Sequence, residues 1–278
     1  MWDGVREVSR RWPPTPGQRR LGGLVRLVGL LLTLCWFVPS AHAACPADGV
    51  QLFPAPGSVV PTNTRLLLEG VGSLSEKVGA LPGRVLRMQT EGHEVEVRVQ
   101  RGWTSTLGRT LVILRLSGPL KPGLVYTLRL DDVLPGVKVL NSMMGHSRPE
   151  WNSGRGQDLA RPRWLKRPVV SEGIFRRTRE GSERFVKLRM SLSEDSPAYA
   201  QVTLSRSKDK DNMAPQHYVL PLHDGVALLG HGACGGAFAL EDGKSYRAKI
   251  DVFDAAGNLV PGVAPLQFES PVATQENP

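Results

Sequence analysis

Alternation of hydrophobic and polar residues dominates the chain from Thr64 onward. The clearest example is His93 to Gln100, where Val95, Val97 and Val99 alternate with charged and polar residues. A period of two predicts a strand with one buried and one solvated face, because successive side chains of a strand point to opposite faces. The 3.6-residue period of an amphipathic helix is not the pattern here.

Similar patterns predict four further strands in the first part of the chain and six in the second. They are Arg65–Glu69, Val85–Thr90, Thr110–Leu116, Val125–Leu130, Val186–Met190, Ala200–Leu204, Tyr218–Leu222, Val226–Leu229, Tyr246–Phe253 and Pro265–Phe268. Gly, Pro, Asn and Asp separate nearly all of them, as expected at turns. Short strands at this spacing, without the helices that parallel crossovers need, predict an all-β sandwich architecture.

A seven-residue pattern ending in tyrosine occurs twice. Leu120–Tyr126 and Leu240–Tyr246 both read L-x-x-G-x-x-Y, and an alternating strand follows each of them. The copies lie 120 residues apart, about the length of one sandwich domain. The pattern resembles the tyrosine corner of fibronectin type III and immunoglobulin-like domains. This resemblance implies that Tyr126 and Tyr246 are structural residues whose hydroxyls turn back onto the backbone of the preceding corner.

Two other stretches are similar to bacterial immunoglobulin-like modules of exported proteins: the Pro-rich opening from Pro54 to Thr64 and the turn Asp254–Asn258. The resemblance implies two tandem immunoglobulin-like β-sandwich domains. We expect the first at residues 44–145, a linker at 146–163 and the second, which is also similar to fibronectin type III, at 164–278. Such modules are chiefly spacer, adhesion and recognition scaffolds, and a fold of this kind implies no activity by itself.

Residues 1–43 have the pattern of a cleaved signal peptide. Arginines precede the apolar stretch Leu27–Val38, and Ala41-His42-Ala43 supplies small residues for cleavage before Ala44. The apolar stretch is too short to span a bilayer, and no 20-residue apolar segment follows it. We therefore expect an exported protein, periplasmic or extracellular, without a transmembrane span in the mature chain.

Cleavage at this position would remove Cys35 and leave Cys45 and Cys234. In an oxidising compartment these two residues are candidates for a disulfide, which would close a long loop and stabilise the fold by about 4 to 5 kcal/mol. Two separate, partly buried thiols, or an acylated Cys45 at the mature terminus, are the alternatives.

The formal net charge is +9, from 35 Lys and Arg against 26 Asp and Glu. The positive excess is concentrated between Arg161 and Met190. The candidate anion-binding residues of this segment are Arg161, Arg163, Lys166, Arg167, Arg176, Arg177 and Arg179. Outside the cytoplasm the partners for such a patch are anionic lipid surfaces, acidic glycans or envelope proteins rather than nucleic acid. A solvated loop beside the polar face of a strand at Phe185–Met190 would explain the same residues.

Four possible metal ligands, His217, His223, His231 and Cys234, fall within eighteen residues. The spacing His231-x-x-Cys234 suits zinc or copper if a turn wraps around the ion. Histidines on the surface and at strand ends explain the same pattern. We predict no cofactor, with a periplasmic zinc- or copper-binding protein as the alternative.

The segment Gly232–Gly236 resembles the nucleophile loop of viral chymotrypsin-like cysteine proteases, which implies Cys234 as nucleophile. That chemistry needs a histidine base, for which His93 is the only early candidate, although it lies in an alternating strand. We predict that the protein is not an enzyme. It is instead expected to be a binding or structural module of the cell envelope.

Overall fold

The computed structural model describes residues 48–141, 148–193, 196–207 and 214–273. These residues are nearly all β, which confirms the predicted all-β class. The predicted signal peptide and Cys45 lie outside the described residues. Within the described ranges, no helix has the length and apolar character needed to cross a bilayer.

The described residues of the N-terminal half, up to residue 153, form eight strands and one short helix. Their bounds are β1 Gly49–Phe53, β2 Val59–Val60, β3 Arg65–Val71, α1 Leu74–Gly79, β4 Val85–Thr90, β5 His93–Ser105, β6 Arg109–Leu116, β7 Val125–Leu128 and β8 Glu150–Ser153. The strands form one sheet in the order β1-β3-β6-β5-β4-β7-β8-β2. All neighbours are antiparallel except β2 and β8, which run parallel.

One hydrophobic cluster receives buried side chains from all eight of these strands. It includes Leu52, Leu68, Val97, Leu114 and Trp151. The alternating strand at Val95, Val97 and Val99 directs its valines into this cluster, and its charged residues face solvent. The sheet therefore curls around a single core.

In the C-terminal half, from residue 164, the described residues form a further eight strands. They are β9 Trp164–Arg177, β10 Ser182–Leu192, β11 Ala198–Arg206, β12 Gln216–Pro221, β13 Val226–Gly232, β14 Gly235–Gly236, β15 Ser245–Asp254 and β16 Leu266–Glu269. Two four-stranded sheets result, ordered β14-β13-β10-β9 and β12-β11-β15-β16. Buried residues of both sheets, such as Leu188, Leu229, Val202 and Ile250, share one hydrophobic cluster. The two sheets consequently pack face to face.

The tyrosines of the two repeated patterns adopt equivalent corners. The backbone N–H of Lys121 donates to the hydroxyl of Tyr126, and the N–H of Glu241 donates to the hydroxyl of Tyr246, each at 3.0 Å and five residues upstream. Both rings are buried. Each hydroxyl thus satisfies a backbone donor that would otherwise lack a partner at the bend.

The two halves are joined by a shared interface. Phe53, Leu67 and Leu111 of the N-terminal half belong to the hydrophobic cluster of the C-terminal half. Beside them the hydroxyl of Tyr218 donates to the buried carboxylate of Glu69 at 2.6 Å. Burial, together with the Glu69 charge, raises the pKa of Tyr218, so this phenol remains a donor over the physiological pH range.

The segment assigned to a linker by sequence, residues 146–163, is bonded to both halves. It contains β8, whose Trp151 is fully buried and donates its indole N–H to the carbonyl of Pro54 at 2.9 Å. Asp158 accepts at its backbone carbonyl from the side-chain amides of Asn63 and Asn258, at 2.8 and 3.1 Å. These bonds fix the connection between the halves.

Candidate functional site

Strand β9 is distinguished by its length and by the exposure of its side chains. It runs for 14 residues and pairs with β10, and its other edge has no strand partner among the described residues. Pro168 is its single buried residue, and most of the others are exposed. A long open edge of this kind presents backbone donors and acceptors to solvent.

The candidate anion-binding residues flank or occupy this strand, and all of them are exposed. Arg161 and Arg163 precede it, Lys166 and Arg167 lie near its start, Arg176 and Arg177 end it, and Arg179 lies in the turn to β10. We call Lys166 with Arg167 the first basic pair and Arg176 with Arg177 the second basic pair. The structure thus places four of the basic residues on one strand and the other three beside it, whereas a solvated loop was the alternative explanation of these residues.

The two basic pairs are separate electrostatic sites. At about 3.3 Å per residue in a strand, the nine-residue offset between Arg167 and Arg176 corresponds to roughly 30 Å. This distance exceeds the Debye length of about 8 Å at physiological salt. Arg176 and Arg177, where β9 and β10 pair in continuous register, point to opposite faces of the sheet. Positive charge therefore lies at both ends of β9, and at the second basic pair it is on both faces.

The middle of β9 has a different character. The exposed fractions of Val169 and Val170 are 54% and 39%, which is high for such residues. Glu172 accepts from the ammonium of Lys187 on β10 at 2.6 Å, and this hydrogen bond lowers the pKa of Glu172. The single acidic side chain of β9 is therefore already paired within the sheet.

Contacts at the far end hold the β9–β10 hairpin in place. The guanidinium of Arg184 lies over the ring of Phe175, 5.1 Å from its centroid, and pairs with the carboxylate of Asp242 at 3.0 Å. Its side chain is only 15% exposed. Arg184 is thus a structural residue, and the second basic pair extends beyond it into solvent.

The four candidate metal ligands are not brought together. Among the residues that the structure describes, which include all four, no group of three or more His, Cys, Asp or Glu is arranged to hold an ion. Cys234 is disulfide-bonded, so its sulfur is not a thiolate ligand. His217 Nδ1 contacts the hydroxyl of Thr203 at 3.0 Å, and both ring nitrogens of His231 face backbone carbonyl oxygens at 3.3 Å.

The residues of the protease hypothesis are also engaged elsewhere. The disulfide removes the nucleophilic thiolate of Cys234 in this form. His93 Nδ1 lies 2.7 Å from the hydroxyl of Tyr126, in the first tyrosine corner. The glycines beside Cys234 form the short strand β14, which pairs with β13.

A cleft of about 870 Å³ lies beside the interface between the halves. Phe53, Tyr199 and Leu222 supply apolar walls, and His223 and Asp224 lie at its border. The hydroxyl of Tyr199 has no hydrogen-bond partner among the described residues, and burial raises the pKa of this phenol. None of the basic residues of the candidate site lines this cleft.

No family model and no curated protein matches the chain. Among solved structures, it is similar to the pullulanase type I from Bacillus subtilis str. 168 at 11% identity, covering 80% of this chain and 24% of that chain, with a TM-score of 0.24. It is also similar to the N-terminal part of the bacterial S-layer protein SbsC at 11% identity, covering 80% of this chain and 44% of that chain, with a TM-score of 0.24. The chain therefore spans less than half of the length of these proteins. TM-scores this low carry no argument about its fold or function.

Proposed function

We propose that the chain is an exported, non-catalytic binding or structural module of the cell envelope, built as two tandem immunoglobulin-like β-sandwich domains, with β9 as its binding element. The observation that carries this proposal is the open edge of β9 and the exposed basic residues around it. The two equivalent tyrosine corners support the tandem architecture. The buried interface between the halves suits a scaffold that presents one surface.

Export is part of the same proposal. The leader at residues 1–43 and the disulfide at Cys234 both support an oxidising compartment, where Cys45 is the pairing partner that we propose. Mass spectrometry of the secreted protein, digested without reduction, should yield a peptide pair containing Cys45 and Cys234. Recovery of Cys45 as a free or acylated residue would contradict this pairing.

The test of β9 as the anion-binding element is a charge reversal. Arg176→Glu with Arg177→Glu should weaken retention on immobilised polyglutamate, lipopolysaccharide and phosphatidylglycerol vesicles, and added salt should weaken retention of the native protein. The matched control is Arg98→Glu with Arg101→Glu, since both of these residues are exposed on β5 and the change in net charge is the same. Equal retention of all three proteins would refute the proposal.

A further inference from the structure

We infer that the open edge of β9 binds an extended acidic polypeptide segment as an added strand. This inference rests on the proposed function and specifies the partner of that site. Strand addition uses main-chain hydrogen bonds for affinity and side-chain contacts for specificity. Both kinds of contact can be traced to described residues of β9.

The backbone of β9 is suitable for strand addition. The central segment, residues 169–177, contains no proline, and residues 172–177 pair with β10 in continuous register. The register shifts of this pair all lie closer to the start of β9. A regular strand with one partner directs half of its backbone N–H and C=O groups away from that partner. Another extended backbone is the ligand that complements such a row.

The charges select an acidic partner. Between Arg161 and Arg179 there are seven Lys and Arg and only Glu172 with the opposite sign, and Glu172 is paired with Lys187. Charged edges deter pairing with neutral or like-charged strands. A second copy of this chain is disfavoured in both orientations, because a full-length alignment of two β9 strands places basic pairs opposite basic pairs.

The placement of the charges favours a strand over a membrane. Since Arg176 and Arg177, in the part of β9 that pairs regularly with β10, point to opposite faces of the sheet, a planar lipid surface meets only one of them. A strand alongside the edge reaches both. The exposed side chains of Val169 and Val170 between the pairs provide apolar contacts for its central residues.

This geometry defines the complementary peptide. It carries two Asp or Glu at each end, separated by about eight residues in which Thr and Val alternate, so that its acidic ends meet the two basic pairs. A control peptide of identical composition has all four acidic residues at one end. A second control keeps the sequence and N-methylates alternate backbone amides, which removes donors but retains charge.

Isothermal titration of the purified exported protein should show binding of the first peptide, with affinity at least about tenfold lower for each control peptide. Lys166→Glu with Arg167→Glu, and Arg176→Glu with Arg177→Glu, should each weaken binding at least about tenfold, whereas Arg98→Glu with Arg101→Glu should not. Circular dichroism of each variant before titration confirms that it is folded.

Equal binding of the N-methylated peptide would overturn the strand inference. So would displacement of the first peptide by phosphatidylglycerol vesicles, which would assign β9 to lipid. If the strand inference fails in one of these ways but the charge-reversed proteins still lose retention on polyglutamate, the proposed function of β9 as an anion-binding element stands. If charge reversal also leaves retention on polyglutamate unchanged, both the proposed function and the strand inference are refuted.

Discussion

At the scale of single residues, two tyrosine hydroxyls organise the bends and a third joins the halves. Tyr126 and Tyr246 each accept from a backbone N–H five residues upstream, and Tyr218 donates to Glu69 across the interface. Tyr199 is equally buried, but in the part of the chain that the structure describes its hydroxyl has no partner. These four residues therefore form a matched set in which the contribution of a buried tyrosine hydroxyl to the free energy of unfolding can be measured.

Tyr126→Phe and Tyr246→Phe should each lower the free energy of unfolding by about 1 to 3 kcal/mol, because each leaves a backbone donor without its acceptor. The effect should be larger at Tyr126, whose hydroxyl also contacts His93 at 2.7 Å. Urea denaturation measures both values. Tyr199→Phe is the control and should be neutral or stabilising. A corner variant as stable as that control would show that the corners are not structural.

Alkaline pH should destabilise the fold through Tyr199 and Tyr218. Burial raises the pKa of both phenols above the usual value of 10.0. Each therefore contributes stability below pH 10, which is lost as the pH rises above 10, because the unfolded chain releases the proton and the folded chain retains it. Replacing either residue with Phe should reduce the slope of the free energy of unfolding by about 1.4 kcal/mol per pH unit. Denaturation at several pH values above 10 tests this, and unchanged slopes would contradict it.

At the scale of elements, the strands differ in how strongly burial constrains them. Strand β5 has alternating buried valines, whereas β9 has one buried residue in fourteen. β5 also bends at a bulge, where its register with β6 shifts between Gln100 and Trp103. Gly102 occupies that bulge, and a Cβ at this position would overlap the carbonyl of Leu111.

Gly102→Ala should accordingly destabilise the protein by at least about 2 kcal/mol, since backbone rather than a flexible side chain would have to move. Thermal unfolding measures the change. Gly118→Ala is the control, because a Cβ there meets nothing within 4 Å, and we expect a change of less than about 1 kcal/mol. Similar melting temperatures for the two variants would exclude a steric role for the bulge.

The same difference in burial decided what could be predicted from sequence. Residues 110–116 of β6 were predicted as a strand, although three consecutive residues of it are buried. Alternation identified residues 93–100 of β5, because that part of the strand has one face in the core. It missed β9, where both faces are largely exposed and no period of two arises. The β-branched and aromatic residues Val169, Val170, Ile174 and Phe175 were the available indication of a strand. Sequence reasoning named the basic residues but not the element that arranges them.

At the scale of the whole molecule, the halves are coupled by apolar and polar contacts that no local pattern foretells. Glu69 and Tyr218 are 149 positions apart, and their hydrogen bond depends on how the halves pack. The side chains of Leu67 and Leu111 belong to the hydrophobic cluster of the C-terminal half and not to the cluster of their own half. Such contacts predict that the halves unfold together.

Leu111→Ala should destabilise both halves at once, by about 2 to 5 kcal/mol, because it opens a cavity at the shared interface. Unfolding in urea, followed by tryptophan fluorescence and by far-ultraviolet circular dichroism, should show one coincident transition in the native protein and in the variant. Leu159→Ala, at a position 75% exposed, is the control and should change little. Two separate transitions would contradict the coupling.

Hydrogen exchange of the β9 amides tests the central claim most directly. In the protein alone, the amides of residues 169–177 that point away from β10 should exchange rapidly, while those bonded to β10 are protected. Saturation with the acidic peptide should protect the fast set and leave the core strands unchanged. If protection instead arises at another element, or if β9 exchange is the same with and without the peptide, β9 is not the binding edge.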